Sequence, residues 1–261
     1  MNLLHALILG AVEGLTEFLP VSSTGHLILT SQFLGLHGDY VEAFEVVIQS
    51  GAIAAILWLR RERFMALLPG RAEGPLGGKQ GLLNLGLCTL PALVLGALFA
   101  HKIKEALFHP GPVAGAMVVG ALAILALDRP RPGASRDLGS LTGRDALIIG
   151  LAQCLAMWPG MSRSACTILG AMLLGFDRES ATEFSFLAAV PVLLAATAHD
   201  ALKQRHAFVA DPLPLALGWI CAFVVACLAV QGFLKLLKRG GLRPFAWYRL
   251  AAAPIFYLML G

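Results

Sequence analysis

Residues 13–26 read Glu-Gly-Leu-Thr-Glu-Phe-Leu-Pro-Val-Ser-Ser-Thr-Gly-His and interrupt an otherwise apolar stretch, Leu3–Leu36. Glu13 and Glu17 are four residues apart, so a helix over this segment carries both carboxylates on one face. Pro20 ends or kinks that helix because it lacks an N–H group and disfavours helical geometry in the residue before it. The stretch therefore predicts a helix that brings two carboxylates into apolar surroundings and then breaks.

Hydroxyl side chains follow the break. Ser22, Ser23 and Thr24 are residue types preferred at helix N-caps, and they predict a second helix that starts near Gly25. The start of a helix leaves backbone N–H groups without intrahelical partners. Ionisable groups beside such a break are expensive inside a membrane, so we interpret them as functional.

The composition is that of an integral membrane protein. Of the 261 residues, 57% are hydrophobic and 14% are charged, whereas soluble domains carry about 25% charged residues. A helix needs about 20 apolar residues to span a bilayer. Six apolar runs, most of them near this length, predict six transmembrane helices: Val41–Leu59, Gly81–Ala100, Val113–Leu127, Phe184–Ala198, Leu213–Leu234 and Phe245–Leu260.

Two further apolar stretches, Leu3–Leu36 and Ala146–Leu174, are too long for one ordinary span and are interrupted by Pro, Gly and Ser. We interpret each as a re-entrant helical hairpin that enters and leaves the membrane on one side. Broken backbone at membrane depth is tolerated only where protein or a water-filled cavity surrounds it, so both hairpins are expected inside the bundle. The predicted fold is an all-α polytopic membrane protein with six transmembrane helices and two re-entrant hairpins.

Basic residues cluster in alternate connections, at 60–79, 129–144 and 235–243. The positive-inside rule places these connections in the cytoplasm, so the first hairpin opens outward and the second opens to the cytoplasm. Membrane orientation and contact with anionic lipid headgroups explain the basic clusters, and no nucleic-acid partner is expected.

The two hairpins resemble each other in sequence. When Gly10 is aligned with Gly150, the apolar residues that follow in the two hairpins also align. A one-residue gap after Phe18 then aligns Ser23 with Ser162. Inverted repeats with broken helices that converge at the bilayer centre are the plan of many secondary transporters. The sequence therefore predicts an inverted-topology repeat within one membrane domain, 1–261. Repeat 1 covers residues 1–127, repeat 2 covers residues 145–261, and a cytoplasmic loop, 128–144, joins them.

The second hairpin carries the motif Trp-Pro-Gly-Met-Ser-Arg-Ser-Ala-Cys-Thr at residues 158–167. Arg163 follows Pro-Gly at the predicted start of a helix, where free N–H groups and the helix dipole favour an anion, and its guanidinium can grip two phosphate oxygens. Alternatively, Arg163 pairs with Glu13 or Glu17 and neutralises buried charge; the two interpretations are compatible. Across both hairpins, the candidate substrate-binding residues are Arg163, Ser162, Ser164, Ser22, Thr24 and Thr167.

The first hairpin offers several routes to catalysis. Glu13 and Glu17 form a carboxylate pair that can hold a divalent cation and bridge it to phosphate, and one of them can instead orient a nucleophile or act as a base. His26 can transfer protons or attack phosphorus, and Ser23 can attack if an adjacent base activates it. The candidate catalytic residues are Glu17, Ser23, His26 and Arg163, and the sequence leaves open whether serine, histidine or water attacks.

The motifs at residues 13–26 and 159–164 resemble the two signature motifs of the bacterial undecaprenyl-pyrophosphate phosphatases of the bacitracin-resistance type. The resemblance extends over nearly the whole chain. One departure is Ala165, which stands where the family commonly has Gly; a residue inside a helix accepts this change easily.

The resemblance implies an inner-membrane enzyme that hydrolyses undecaprenyl pyrophosphate to undecaprenyl phosphate and inorganic phosphate, recycles the lipid carrier of cell-wall synthesis and confers bacitracin resistance. It also implies a site open to the periplasm and dependence on a divalent cation, Mg²⁺ or Ca²⁺, with a polyprenyl pyrophosphate and membrane lipids as partners. Its functional positions match Glu13, Glu17, Ser23, His26 and Arg163 in this chain.

Two further questions stay open at the level of sequence. The same inverted plan suits a transporter or flippase that moves a polyprenyl phosphate with these residues as its binding site. The oligomeric state is not fixed by the chain, and a homodimer is one candidate.

Overall fold

A computed structural model describes residues 1–68, 70–72, 74–108, 110–129, 136–203, 205–210 and 212–260. Among them the structure has twelve α-helices, two short 3₁₀ segments and no β-strand. The all-α prediction is confirmed. The helices are α1 Leu3–Thr16, α2 Ser23–Phe33, α3 Asp39–Leu59, α4 Arg61–Ala66, α5 Gly78–Leu107, α6 Pro110–Leu127, α7 Gly143–Gln153, α8 Arg163–Leu173, α9 Arg178–Lys203, α10 Arg205–Ala210, α11 Pro212–Gly240 and α12 Arg243–Leu260.

In the described part of the chain, four helices are long and apolar enough to cross a membrane: α3, α9, α11 and the first part of α5, Gly78–Phe99. A bent pair, His101–Leu107 with Gly111–Leu127, makes a fifth candidate. The sixth predicted span lies in α12, which has 18 residues but includes two arginines. The protein is therefore a multi-pass membrane protein with four or five spans by length and hydropathy.

The first long apolar stretch forms a helix, a break and a helix, as predicted. α1 ends at Thr16, residues 17–21 form turns, and α2 begins at Ser23. Ser22 is the N-cap of α2, and its Oγ accepts a hydrogen bond from the Gly25 backbone N–H at 3.4 Å. α2 thus starts two residues earlier than predicted, because Ser22 rather than a later hydroxyl acts as the cap.

The second long stretch is built in the same way. α7 continues into a short 3₁₀ segment, Cys154–Met157, and Ser162 caps α8 by accepting a hydrogen bond from the Ala165 N–H at 3.3 Å. The two cap serines are the only non-glycine residues with positive φ in the described chain, at 76° for Ser22 and 72° for Ser162. A left-handed conformation costs a non-glycine residue about 1–2 kcal/mol, so both breaks store the same backbone strain.

The cap positions correct the alignment of the two hairpins. The spacing from Gly10 to Ser22 equals that from Gly150 to Ser162, so no residue is skipped and Ser22, not Ser23, matches Ser162. Ser23 then matches Arg163, the first residue of α8. The sequence comparison was wrong by one residue here because it aligned the prolines, whereas the backbone aligns the helix caps.

Each hairpin packs against a helix from the other half of the chain. α1 lies on α11, and α7 lies on α5. A Cβ added at Gly10 would lie 2.4 Å from the Gly218 carbonyl oxygen, and one added at Gly150 would lie 2.4 Å from the Cys88 carbonyl oxygen. The absence of a side chain at Gly10 and Gly150 therefore lets the helix backbones touch.

Further helix pairs follow the same exchange between the halves, since α3 packs on α9 and α6 packs on α12. Of the predicted connecting loop, 128–144, residues 130–135 lie outside the described residues. At the start of this loop, the buried Asp128 accepts hydrogen bonds from Arg178 Nε at 2.5 Å and from the Leu242 N–H at 2.7 Å. Asp128 therefore links the end of α6 to the starts of α9 and α12.

Candidate active site

The breaks of the two hairpins meet at one carboxylate. Glu17 Oε2 accepts a hydrogen bond from Ser23 Oγ at 2.5 Å, and Glu17 Oε1 accepts one from Arg163 Nη2 at 2.9 Å. Glu17 is 6% exposed, and the Arg163 side chain is 12% exposed. We call these three residues the Glu17 cluster. Glu17, a base candidate, thus contacts both a nucleophile candidate from its own half of the sequence and an anion-binding candidate from the other half.

The guanidinium of Arg163 is held on its other side by α9. Its Nη1 donates to the Ser185 carbonyl oxygen at 3.1 Å, and Ser185 Oγ lies 2.6 Å from Thr167 Oγ1. Arg163 Nε is buried and has no hydrogen-bond partner among the described residues. Buried donors are normally paired, so this unpaired N–H marks a place for an acceptor such as a phosphate oxygen. Sequence reasoning did not select Ser185 as a site residue; an isolated serine in an apolar run was its only signal.

The remaining predicted hydroxyls mostly build the breaks. Ser162 and Ser164 have their Oγ atoms 3.0 Å apart, and Ser164 Oγ donates to the Leu19 carbonyl oxygen at 2.9 Å, which joins the second hairpin to the first. Ser22 caps α2, whereas Thr24 is half-buried and its hydroxyl has no hydrogen bond with any described residue. The start of α8 adds backbone N–H groups that favour an anion next to Arg163.

Glu13 lies one helical turn before Glu17 on the same face of α1 and is 0% exposed. Neither of its carboxylate oxygens has a hydrogen-bond partner among the described residues. An unpaired buried carboxylate is costly, and a cation satisfies it.

The described residues contain no group of three or more His, Cys, Asp or Glu side chains placed to hold a metal ion. A divalent cation such as Mg²⁺ commonly takes one or two protein carboxylates and completes its shell with water and phosphate oxygens. The Glu13 and Glu17 pair fits that mode of binding, in which substrate supplies the remaining ligands.

His26 makes its side-chain hydrogen bonds outside the Glu17 cluster. Its Nδ1 lies 2.7 Å from the Ser22 carbonyl oxygen, and its Nε2 lies 2.6 Å from the Tyr248 hydroxyl. Within the described chain no hydrogen bond joins His26 to Glu17, Ser23 or Arg163. The structure therefore brings together three of the four predicted catalytic residues and places the fourth against α12.

Arg249 is the site residue that sequence reasoning missed. It is completely buried in α12 and donates hydrogen bonds to carbonyl oxygens of both breaks and of α6: Pro20 at 3.2 Å, Gly160 at 2.8 Å, Met161 at 3.0 Å, Ala116 at 3.1 Å and Met117 at 3.1 Å. Gly120 makes room for it, since a Cβ there would lie 2.0 Å from Arg249 Nη2. The signal available in the sequence was a lone arginine inside the apolar run 245–260, and it was overlooked.

Two broken helices that bring a carboxylate, a hydroxyl and an arginine together inside a multi-pass bundle define a membrane-embedded protein with a site for an anionic group. The family described as "Bacitracin resistance protein BacA" matches residues 6–255. The chain belongs to this family.

Curated relatives resemble the chain over nearly their full length. It is 50% identical to "Undecaprenyl-diphosphatase" of Oleidesulfovibrio alaskensis, with 98% of each chain covered. It is 51% identical to "Undecaprenyl-diphosphatase" of Maridesulfovibrio salexigens, with 97% of each chain covered. It is 47% identical to "Undecaprenyl-diphosphatase 1" of Burkholderia ambifaria, over 98% of this chain and 94% of the relative.

The contacts of Arg249 predict that it holds the two breaks together. Arg249→Met leaves carbonyl oxygens buried without a donor, each at a cost of about 1–3 kcal/mol. We expect the midpoint of thermal unfolding in detergent to fall by about 5 °C or more. The midpoint of Arg249→Lys should lie between those of Arg249→Met and the wild type, because one ammonium group cannot reach both breaks.

The matched control is Arg243→Met, at an exposed position at the start of the same helix. Its midpoint should stay within about 2 °C of the wild type. Equal midpoints for Arg249→Met and Arg243→Met would contradict the assigned role.

Proposed function

We propose that this chain hydrolyses undecaprenyl pyrophosphate to undecaprenyl phosphate and inorganic phosphate, and thereby recycles the lipid carrier of cell-wall synthesis. Family membership and relatives named undecaprenyl-diphosphatase at about half identity support the activity. The family description also makes bacitracin resistance the expected consequence. The observation in the structure that carries the proposal is the Glu17 carboxylate, held between the Ser23 hydroxyl and the Arg163 guanidinium.

The contact between Ser23 and Glu17 favours serine as the nucleophile. Glu17 Oε2 accepts the proton as Ser23 Oγ attacks the terminal phosphorus, since the two atoms are already 2.5 Å apart. The anhydride P–O bond breaks and undecaprenyl phosphate leaves. Glu17 gives that proton to the departing phosphate and becomes a carboxylate again. Water then attacks the phosphoserine and gives its proton to Glu17, which passes it to Ser23 Oγ as the P–Oγ bond breaks and inorganic phosphate leaves. Phosphoryl transfer requires mainly positioning and charge stabilisation, which this cluster supplies.

Arg163 pairs with Glu17 before the substrate binds and with phosphate oxygens when the substrate is bound. In the structure its Nη2 neutralises Glu17 Oε1. When a pyrophosphate enters, the guanidinium and the N–H groups at the start of α8 bind phosphate oxygens and offset the charge that develops in transfer. Ser162, Ser164, Thr167, Ser22 and Thr24 complete the proposed substrate-binding set, with the first two shaping the start of α8.

Glu13 and Glu17 would hold a divalent cation, Mg²⁺ or Ca²⁺, together with phosphate oxygens. Bound there, the cation would act as a Lewis acid and neutralise charge on the pyrophosphate. Glu13 has both oxygens unpaired for this purpose, and Glu17 Oε1 becomes available when Arg163 turns to the substrate.

We also propose the finer architecture: six spans and two oppositely oriented re-entrant hairpins, arranged as inverted repeats 1–127 and 145–261 in the bacterial inner membrane. The matching cap serines and the exchange of helix contacts between the halves support it. By the positive-inside rule, the basic connections support a first hairpin on the periplasmic side, where the site would open while the prenyl tail stays in the bilayer.

The activity predicts metal-dependent phosphate release from undecaprenyl pyrophosphate by the purified protein. Glu17→Gln removes the base and Ser23→Ala removes the nucleophile, so each should lower kcat by about 100-fold or more. Glu13→Gln should raise the divalent-cation concentration needed for half-maximal rate by about tenfold. Chelator should reduce release by the wild type to background.

The control is Glu62→Gln, the same change at an exposed position of α4, which should retain wild-type kcat. No release by a folded wild-type protein in lipid, with binding of the polyprenyl phosphate retained, would favour the transporter instead. Unchanged kcat in Ser23→Ala would contradict serine attack.

The inverted arrangement predicts opposite sidedness for the ends of the hairpins. His37 lies just after the first hairpin and Arg144 near the start of the second, and both are exposed. In spheroplasts a membrane-impermeant maleimide should label His37→Cys, and it should label Arg144→Cys only after permeabilisation. The chain without added cysteine controls for the native free thiols. Labelling of both from the same side would contradict the arrangement.

A further inference from the structure

The imidazole of His26 has no free nitrogen. The Ser22 carbonyl oxygen, 2.7 Å from Nδ1, can only accept, so Nδ1 carries a proton and donates it. In the neutral ring Nε2 is then an acceptor, and the Tyr248 hydroxyl, 2.6 Å away, donates to it. A histidine that attacks phosphorus or activates water needs one nitrogen directed at the reacting group. Here both nitrogens are engaged elsewhere.

The orientation of the ring is fixed by α12 as well. The Tyr248 ring stacks on the His26 ring at 5.7 Å between centroids and 12° between planes. Phe256, two turns further along α12, meets the same imidazole edge to face at 5.1 Å. Turning His26 toward the Glu17 cluster would break both hydrogen bonds and both ring contacts.

The residue that His26 holds is the strained cap of α2. The Ser22 carbonyl oxygen accepts from His26 twice, from Nδ1 and from the backbone N–H at 3.3 Å. Ser22 has φ of 76°, and the next residue, Ser23, aims its hydroxyl at Glu17. A change at Ser22 therefore redirects the Ser23 hydroxyl, and a misplacement of about 1 Å can cost about 100-fold in rate.

We propose that His26 and Tyr248 are positioning residues: His26, oriented by the Tyr248 hydroxyl, holds the left-handed Ser22 backbone and so directs Ser23 at Glu17. This inference rests on the proposed phosphatase activity and on serine as the nucleophile. It assigns a role to Tyr248, and it replaces the chemical role that the sequence suggested for His26. Neither side chain touches the substrate or exchanges a proton with it.

Two amide variants separate the nitrogens of His26. In His26→Asn the amide nitrogen takes the place of Nδ1 and can still donate to Ser22, whereas in His26→Gln it takes the place of Nε2. Positioning through Nδ1 predicts that His26→Asn keeps at least about a third of the wild-type kcat and that His26→Gln loses about tenfold or more, with KM within about twofold for both. Equal kcat values in the two variants, high or low, would overturn the proposal.

Tyr248→Phe keeps the stacked ring and removes only the hydroxyl. It should lower kcat by about two- to threefold in the wild-type background and have no further effect in His26→Asn, which lacks Nε2. An additive loss in the double variant would contradict the assignment. Tyr257→Phe, an exposed tyrosine on the same helix, controls for the loss of a hydroxyl and should match the wild type.

A readout independent of activity separates this inference from the proposed function. ¹⁵N NMR of histidine-labelled protein reports which ring nitrogen carries the proton, and His26→Asn identifies the His26 signals by difference. The proposal expects the tautomer protonated at Nδ1, with an Nε2 signal that shifts in Tyr248→Phe. The opposite tautomer would overturn it even if the wild-type protein released no phosphate, an outcome that would overturn the phosphatase proposal separately.

Discussion

A helix that breaks inside a membrane must find partners for its freed backbone groups within the protein, and Arg249 meets that demand for both breaks at once. It is fully buried and donates to the carbonyl oxygens of Pro20 in the first break and of Gly160 and Met161 in the second. In lipid no water is available for this purpose, so an unsatisfied carbonyl costs several kcal/mol. Arg249 has no carboxylate partner in the described chain, and its hydrogen bonds link the two hairpins.

The geometry of the Glu17 cluster depends on this link through Arg249. Glu17 and Ser23 belong to the first hairpin, and Arg163 belongs to the second. Because Arg249 fixes the two breaks relative to each other, the start of α8 is held where the Arg163 side chain reaches Glu17. Preorganised charge of this kind is the main source of catalysis in phosphoryl transfer, where the protein does little covalent chemistry. The same α12 contributes Tyr248 to His26, so one helix contacts both the backbone of the breaks and the imidazole that is bonded to the Ser22 carbonyl oxygen.

Local sequence chemistry predicted the two helix breaks well, because Pro20 and the serine caps act on their immediate neighbours. The contact between Arg163 and Glu17 was also predicted as one interpretation, since buried opposite charges seek each other. The register of the two breaks was missed by one residue, because left-handed φ at a serine leaves no mark in the sequence. Arg249 was missed for a related reason: its partners are backbone carbonyls, which every residue carries.

The partners of His26 outside the Glu17 cluster were equally invisible in the sequence, where Ser23 and His26 lie in one motif. On a helix these residues are three positions apart, and the choice of partner on α12 decides which way the imidazole turns. α12 is not among the helices that qualify as spans by hydropathy, since the arginine that holds the breaks also lowers its apolar character.

The central claim, that the two breaks form one chemical unit, is tested most directly by a double-mutant cycle between the hairpins. Glu17→Asp and Arg163→Lys keep the charges and leave a measurable rate of phosphate release from undecaprenyl pyrophosphate. The account predicts strong coupling, with kcat of the double variant within about threefold of the slower single variant. A double variant whose loss equals the product of the two single losses would show that the hairpins act independently and would contradict the account.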